Sequence, residues 1–232
     1  MFVATGFNQQ DIVKDGLVLW LDANDKTSYS GTGTTWRDLS RGGNNGTLTN
    51  GPTYNSENGG SIVFDGVDDQ VTFFSFSLNP SQITCDTWFK VDTSNITGSL
   101  VAGWLMGIEG QFRIIYDLTG FSWVCKTSNT NWYGPGTAIS YNYSSSISNT
   151  WFNVTGTYNG SYNSIYVNGI LQETGSVISG TVNLTSNFVI GRGVSNVAYQ
   201  KGNGSVYRIY NKALSSQEVL QNYNANKNRF GL

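Results

Sequence analysis

Carboxylates are the side chains of this sequence with the widest scope for chemistry, because the chain has 15 acidic residues and no histidine. Without histidine, imidazole acid–base catalysis, histidine metal ligands and Ser-His or Cys-His nucleophilic pairs are excluded. Hydrolysis of a glycosidic bond instead needs two carboxyl groups roughly 5–10 Å apart. The candidate pair is Glu109 with Asp117, and both residues are better explained as turn acids. The sequence therefore predicts a protein that is not an enzyme.

Asp65, Asp68 and Asp69 form the densest group of metal-ligating side chains, with three carboxylates within five residues. Calcium prefers hard oxygen ligands of this kind. Aspartate is also a common turn residue, so a turn explains the same group without a metal. A bound calcium is one interpretation, and no other cofactor is expected.

The segment 127–149 is the least regular part of the sequence and is rich in aromatic residues. Sugar rings stack their apolar faces on such side chains, so this segment is a candidate glycan platform. Two other interpretations stay open: the rings pack the segment onto a sheet, or they contact a neighbouring subunit. The candidate ligand-binding residues are Trp132, Tyr133, Tyr141 and Tyr143.

The elements that must position these residues are mostly strands. In the stretch 59–73, Ile62 and Phe64 share one face at a spacing of two, and Val71 and Phe73 do the same after a turn. This pattern predicts a β-hairpin around the acidic turn.

Further runs of β-branched and aromatic residues between turn signals predict an all-β fold. The Asn168-Gly169 pair supplies the positive φ angles of a type I′ hairpin turn. The predicted strands are Asp15–Asp22, Ile83–Val91, Leu100–Gly107, Gln111–Leu118, Phe121–Lys126, Phe188–Arg192 and Gly204–Leu214, with hairpins beginning at Thr150 and Ser164.

The C-terminal region predicts a short helix. Ser215 and Glu218 form a capping box, and Leu214 with Val219 occupies the positions of a hydrophobic staple. Val219 with Leu220 and Tyr223 is expected to form the apolar face.

Composition restricts the partners. The net charge is −2, so neither nucleic acid nor an anionic membrane is expected to bind. Residues 1–92 carry eleven acidic and five basic side chains, giving −6, whereas residues 201–232 carry five basic and one acidic, giving +4. Chance explains this asymmetry, as does head-to-tail complementarity between subunits. The start of the chain has no secretory signal, so Cys85 and Cys125 are expected to be buried free thiols.

Several motifs in order give the chain a family resemblance. LVLWLDA, TTWRDLS, NNGTLTNGPTY and GGSIVFDGVDD follow one another in the N-terminal half, and WFNVTGTYNG, YVNG and YRIYNKAL follow in the C-terminal half. The sequence resembles laminin-G-like modules of the concanavalin A-like lectin/glucanase group, of the kind found in tailed-phage virion proteins. The resemblance covers residues 12–232 and leaves residues 1–11 as an N-terminal arm.

This resemblance implies a two-sheet antiparallel jelly-roll sandwich with a short C-terminal helix. Glycosidases of the group use an E-x-D-x-x-E pattern, which this chain does not contain. Related folds often hold a structural calcium near the early hairpin. Val206 and Tyr207 stand where the family has an acidic pair, so any help from that pair with a calcium is not carried over.

The resemblance also implies a function. We expect a non-enzymatic phage virion surface protein, acting as a capsid decoration, fibre or adhesion module in host glycan attachment or in capsid and tail assembly. Its partners would be other virion proteins, copies of itself and a cell-surface glycan. Its location would be the virion surface after assembly in the host cytoplasm. The alternative is a stand-alone carbohydrate-binding lectin module, and a weaker alternative is a glycoside hydrolase.

Overall fold

A computed structural model describes residues 11–74, 76–94, 103–131, 136–182, 188–193 and 198–232. The described residues form strands and one C-terminal α-helix, α1 (Ser216–Asn226), which runs on into a 3₁₀ turn, Lys227–Phe230. The strands are β1 (Leu17–Asp22), β2 (Thr35–Trp36), β3 (Gly46–Thr49), β4 (Thr53–Asn55), β5 (Ser61–Asp65), β6 (Gln70–Phe73), β7 (Ile83–Val91), β8 (Gly103–Ile108), β9 (Phe112–Tyr116), β10 (Gly120–Cys125), β11 (Ala138–Asn142), β12 (Trp151–Tyr158), β13 (Asn163–Val167), β14 (Ile170–Thr174), β15 (Phe188–Ile190) and β16 (Lys201–Tyr210).

The strands form two antiparallel sheets. The first sheet has the order β14-β13-β12-β7-β16-β5-β4, and β1 also pairs with β16. The second sheet has the order β11-β10-β9-β8-β15-β6-β3-β2. The inner faces of both sheets contribute to one large hydrophobic cluster, and α1 covers part of the outer face of the first sheet. The predicted two-sheet sandwich with a short C-terminal helix is confirmed.

The prediction of a hairpin around the acidic turn is wrong. β5 pairs with β4 and β16 in the first sheet, whereas β6 pairs with β3 and β15 in the second. The turn between them therefore carries the chain from one sheet to the other. Ile62, Phe64, Val71 and Phe73 are all buried, as their spacing predicted, because the two strands face the same core from opposite sides.

The segment 127–149 contains more regular structure than its sequence indicates. Ala138–Asn142 pairs with β10 and forms the edge strand β11 of the second sheet. Next along the chain, the predicted hairpin turn at Asn168-Gly169 is confirmed, with φ angles of 51° and 77° between β13 and β14. The N-terminal arm predicted for residues 1–11 lies outside the described residues except for Asp11.

The capping box of α1 is confirmed: the Ser215 hydroxyl accepts from the Glu218 backbone N–H, and the Glu218 carboxylate accepts from the Ser215 backbone N–H. The expected apolar face is partly wrong, because Leu220 is 43% exposed. Asn222 is buried instead, where it accepts from the Val13 N–H and donates to the Tyr210 hydroxyl. The helix therefore rests on a partly polar surface.

The acidic N-terminal part and the basic C-terminal part of the chain form ion pairs with each other inside the fold. β16 lies between strands from the N-terminal half of the chain. The lysine and arginine side chains of β16 and of the segments that follow it therefore lie close to aspartates from the N-terminal half. Complementarity between subunits is therefore not needed to explain the asymmetry. The ion pairs are Arg208–Asp86 and Arg229–Asp22 at 2.7 Å, Lys212–Asp15 at 2.8 Å and Lys201–Asp92 at 2.9 Å.

The two cysteines are free and buried, as predicted. They lie on opposite sheets, Cys85 on β7 and Cys125 on β10, and burial raises the pKa of both thiols. The thiol form is the stable one at neutral pH, which removes the thiolate needed for nucleophilic chemistry. No helix among the described residues is long and apolar enough to cross a membrane.

Candidate functional site

The acidic turn brings its three carboxylates together. One oxygen from each of Asp65, Asp68 and Asp69 lies within 4.8 Å of the others. The turn is held by its own backbone, since Asp69 Oδ2 accepts from the Asp65 N–H at 3.0 Å and Asp65 Oδ1 accepts from the Val67 N–H at 2.8 Å. The carboxylate oxygens are therefore neighbours in space, and the calcium site suggested for them by the sequence stays a prediction.

The ionisation of Asp69 is perturbed by its surroundings. It is buried, and burial raises the pKa of its carboxyl group, with further raising by the charges of Asp65 and Asp68. The hydrogen bond from the Asp65 N–H partly opposes the rise. A divalent cation would relieve the repulsion among the three carboxylates, so the donor set fits calcium.

Two of the four candidate aromatic residues, Trp132 and Tyr133, lie outside the described residues. Tyr141 and Tyr143 are half-buried and pack against the main core. The Tyr143 ring meets the Phe152 ring edge-on, with 5.0 Å between centroids. Their role as a glycan platform stays a prediction, and their observed contacts are with the protein.

The structure separates the candidate catalytic pair. Glu109 lies in the turn between β8 and β9, and Asp117 lies in the turn between β9 and β10. Consecutive turns of an antiparallel meander lie at opposite ends of the strand they share. β9 has five residues, so the two turns are at least about 16 Å apart. Asp117 instead accepts from the Thr119 and Gly120 N–H groups, as a turn acid does.

The Glu109 end of the second sheet holds a polar cleft of about 350 Å³ that we call the end cleft. It forms where the β8–β9 turn and the segment after β10 meet the β6–β7 and β14–β15 connections, which run between the two sheets. Sequence reasoning missed it, because its residues come from four separate parts of the chain. The end cleft is lined by Asn79, Glu109, Gly110, Gln111, Lys126, Thr127, Ser128 and Thr181.

Backbone hydrogen bonds hold the walls of the end cleft in place. The Lys126 N–H donates to the Gln111 carbonyl at 2.7 Å, and the Ser128 N–H donates to the Thr181 carbonyl at 2.9 Å. The Ser128 hydroxyl in turn accepts from the Thr181 N–H. Gln111 Oε1 is buried and has no hydrogen-bond partner among the residues that the structure describes. A buried acceptor of this kind is unfavourable unless a ligand or water donates to it.

Phe74 is the second feature that sequence reasoning missed. Its side chain is 97% exposed. It follows Phe73, whose ring packs 4.6 Å from that of Phe188, and Phe188 pairs with Ile108 at the start of the Glu109 turn. Phe74 is therefore at the same end of the second sheet as the end cleft. The sequence feature that predicts an exposed ring is the Phe73-Phe74 pair. Successive side chains of a strand point to opposite faces, so only one of two adjacent rings is buried.

The fold and these sites can be compared with known proteins. Residues 64–220, more than half of the chain, match a laminin-G family described as the concanavalin A-like lectin/glucanases superfamily. The chain belongs to this family. No curated protein sequence matches it significantly.

Solved structures with the same fold are binding domains of clostridial toxins. The botulinum neurotoxin serotype D ligand-binding domain, in complex with N-acetylneuraminic acid, is 18% identical with a TM-score of 0.70, covering 91% of this chain and 51% of that one. The binding domain of Paraclostridial Mosquitocidal Protein 1 is 19% identical with a TM-score of 0.68, covering 90% and 52%. The chain thus spans about half the length of these domains, and at this identity the likeness shows the fold alone.

Proposed function

We propose that this protein is a non-enzymatic binding module that holds a glycan in the end cleft. The observation that carries this proposal is the unpartnered buried Gln111 Oε1 inside a rigid cleft of hydroxyl, amide and charged side chains. Sugars offer many hydroxyl groups that both donate and accept, so such a lining suits them. Membership of a lectin-containing family supports the same conclusion.

The end cleft supplies complementary groups for a sugar ring. Gln111 Oε1 accepts from one hydroxyl, while Lys126 donates to another. Glu109 is free to accept, and Phe74 offers an exposed ring on which the apolar face of a further sugar can stack. The fold of the sialic-acid-bound toxin domain supports including acidic sugars among the ligands tested.

Binding without turnover is part of the proposal. In the described residues, Glu109 has no second carboxylate at a distance suited to glycoside hydrolysis among its cleft neighbours. The chain contains no histidine that could replace it. The end cleft therefore recognises its ligand and leaves the glycosidic bond intact.

A glycan array probed with the purified full chain tests this proposal. Gln111→Ala and Lys126→Ala should each reduce the array signal about tenfold, since each removes a hydrogen bond to the ligand. Lys90→Ala, which removes a lysine on the outer face of the first sheet, is the matched control and should bind like the native protein. A blank array, or equal loss in all three variants, contradicts glycan binding at this cleft.

We propose further that the module is displayed on a phage virion. The resemblance of the motifs supports this, as do exposed apolar side chains suited to contact with another protein: Ile170 and Leu171 on the edge strand β14, which contacts α1, are 63% and 47% exposed. Mass spectrometry of purified phage particles tests the placement. Absence of the protein from particles of the phage that encodes it would overturn this second proposal and leave glycan binding standing.

We also propose that the acidic turn holds one calcium ion. Asp65, Asp68 and Asp69 would supply its carboxylate ligands, and the ion would join the two sheets at the point where the chain crosses between them. Its role would be structural, since the turn lies at the opposite end of the second sheet from the end cleft.

A further inference from the structure

Two adjoining cavities lie near the N-terminal end of β1. The larger one, of about 590 Å³, is lined by Lys14, Leu17, Leu39 and Arg41 among others. The smaller one, of about 160 Å³, lies between β1, β16 and the end of α1. Lys14 lines both cavities. Neither cavity shares a residue with the end cleft.

Two buried N–H donors in the walls of the smaller cavity have no acceptor. Arg208 Nε and Trp20 Nε1 are both unpartnered, and the Arg208 side chain is wholly buried. The other two nitrogens of Arg208 are engaged, one by Asp86 and one by Asn226. A buried donor is normally satisfied, so this pair indicates an acceptor that the described residues, 11 onward at this end of the chain, do not provide.

The charges around the cavities favour a negatively charged acceptor. Lys14 Nζ lies 3.8 Å from the centre of the Trp20 ring, and within the described residues neither Lys14 nor Arg41 forms an ion pair. Burial lowers the pKa of Lys14, and the positive charge of Arg208 lowers it further. The second effect marks a place where an added negative charge is stabilised, because an anion between these two cations offsets their repulsion.

Three aspartates also face the cavities, and of these Asp22 has a cation to itself, whereas Asp15 shares Lys212 with Glu218. Asp15 pairs with Lys212 at 2.8 Å, and Asp22 pairs with Arg229 at 2.7 Å. Asp11 is the third, and it partly offsets the charge of Lys14. With Lys14 and Arg41 against Asp11 and the partly compensated Asp15, the carboxylates at the two cavities do not outweigh the cations.

We propose that these cavities form a second binding site, specific for a small oxyanion such as the carboxylate of a sugar acid. The oxyanion accepts from Trp20 Nε1 and Arg208 Nε, and Lys14 supplies the opposite charge from above the indole ring. The larger cavity has room for the remainder of a monosaccharide, with Leu17 and Leu39 against its apolar face and Arg41 at its rim. A free inorganic oxyanion accepts the same hydrogen bonds in the smaller cavity.

Calorimetric titration of the full chain at constant ionic strength tests this site. The probes are galacturonate, galactose and sulfate, with chloride as the balancing salt. Galacturonate is expected to bind at least tenfold more tightly than galactose. If sulfate binds as tightly as galacturonate, the site takes the anion alone and the larger cavity contributes nothing to recognition. Absence of heat with both galacturonate and sulfate overturns the proposal.

Variants connect the binding to the named groups. Lys14→Gln removes the charge and Trp20→Phe removes the indole donor while keeping a ring, and each should weaken galacturonate binding about tenfold. Lys26→Gln is the matched control, because Lys26 also stacks on an aromatic ring, that of Tyr54 at 4.6 Å, and lines neither cavity. Binding by Lys14→Gln or Trp20→Phe that equals the native protein contradicts the site.

Nuclear magnetic resonance gives a readout that does not depend on affinity. The indole N–H signal of Trp20, identified by its loss in Trp20→Phe, should shift downfield on adding galacturonate, as a new hydrogen bond requires. A shift confined to other signals would place the ion elsewhere. This result does not depend on whether the end cleft binds a glycan. The Gln111→Ala variant, which alters the end cleft, leaves every group of the second site unchanged.

Discussion

Arg208 Nη1 donates to Asp86 Oδ2 at 2.7 Å between the neighbouring strands β16 and β7, and both side chains are essentially inaccessible to solvent. The other oxygen of Asp86 accepts from Asn153 Nδ2 at 2.7 Å and from Thr155 Oγ1 at 2.8 Å. This network lies on the outer face of the first sheet, beneath α1. A C-terminal cation is thereby joined to three central strands of the sheet.

We expect Asp86→Asn to lower the free energy of unfolding by about 3–5 kcal/mol, because it leaves the Arg208 charge buried without compensation. Urea unfolding followed by tryptophan fluorescence measures this. Asp92→Asn is the control: Asp92 pairs with Lys201 at 2.9 Å on the surface, and its loss should cost no more than about 1 kcal/mol. Equal losses in the two variants would show that the interior pair contributes nothing beyond a surface pair.

Asp69 should make stability fall as the pH rises. Burial, with the charges of Asp65 and Asp68, raises the pKa of its carboxyl group above the unfolded value of 3.8. The folded state therefore holds this proton more tightly, so its stabilising contribution is full below pH 3.8 and is lost as the pH rises through the folded pKa. Asp69→Asn should remove this dependence and raise stability at neutral pH without calcium.

Asp92 is the comparison in this measurement of stability against pH, because its contribution to stability changes with pH in the opposite direction. Hydrogen bonds from Ser94, with the Lys201 ion pair, lower the pKa of Asp92 to about 2. Its contribution is present above pH 3.8 and is lost as the pH falls through about 2. A stability profile of Asp69→Asn that runs parallel to the native profile would contradict the assignment to Asp69.

Calcium should stabilise the native protein through the acidic turn. At a free calcium concentration one hundred times the dissociation constant, the expected gain is about 2.7 kcal/mol, seen as a rise in the thermal midpoint. Asp68→Asn should abolish the rise and leave the calcium-free midpoint unchanged or higher, because it reduces repulsion. Asp117→Asn, a variant of an exposed turn aspartate, should respond as the native protein does. Magnesium at equal ionic strength separates site binding from a general salt effect.

Phe74→Ala should separate binding from stability. The ring is almost wholly exposed, so its removal should change the unfolding free energy by no more than about 0.5 kcal/mol. Loss of stacking should weaken glycan binding about two- to tenfold, measured against the best ligand from the array. Phe76→Ala is the contrasting variant, since that buried ring packs 5.1 Å from Phe188 and its removal should cost about 3–5 kcal/mol. Unchanged affinity in Phe74→Ala would remove Phe74 from the site.

Incubation with polysaccharides should release no reducing ends, because Glu109 and Asp117 lie at opposite ends of β9. Colorimetric detection of reducing sugars over a day provides the measurement, with a known glucanase as the positive control. Turnover by the native protein that disappears in Glu109→Gln but persists in Asp117→Asn would show that Glu109 acts with a different partner.

The local features of this fold could be predicted from the sequence because neighbouring residues decide them. A spacing of two predicted which side chains of β5 and β6 are buried, and Asn168-Gly169 predicted the turn that joins β13 to β14. The capping box at Ser215 likewise depends only on residues three apart. The family resemblance then predicted two stacked sheets, which no local pattern contains.

The arrangement of those elements depended on contacts between distant residues. Alternation shows which face of a strand is buried but not which strand lies beside it, so β5 and β6 were expected in one sheet and lie in two. Leu220 is exposed because the surface beneath α1 binds Asn222 instead. Packing between residues far apart in the chain likewise determines the partner of Arg208 and the residues that line the end cleft.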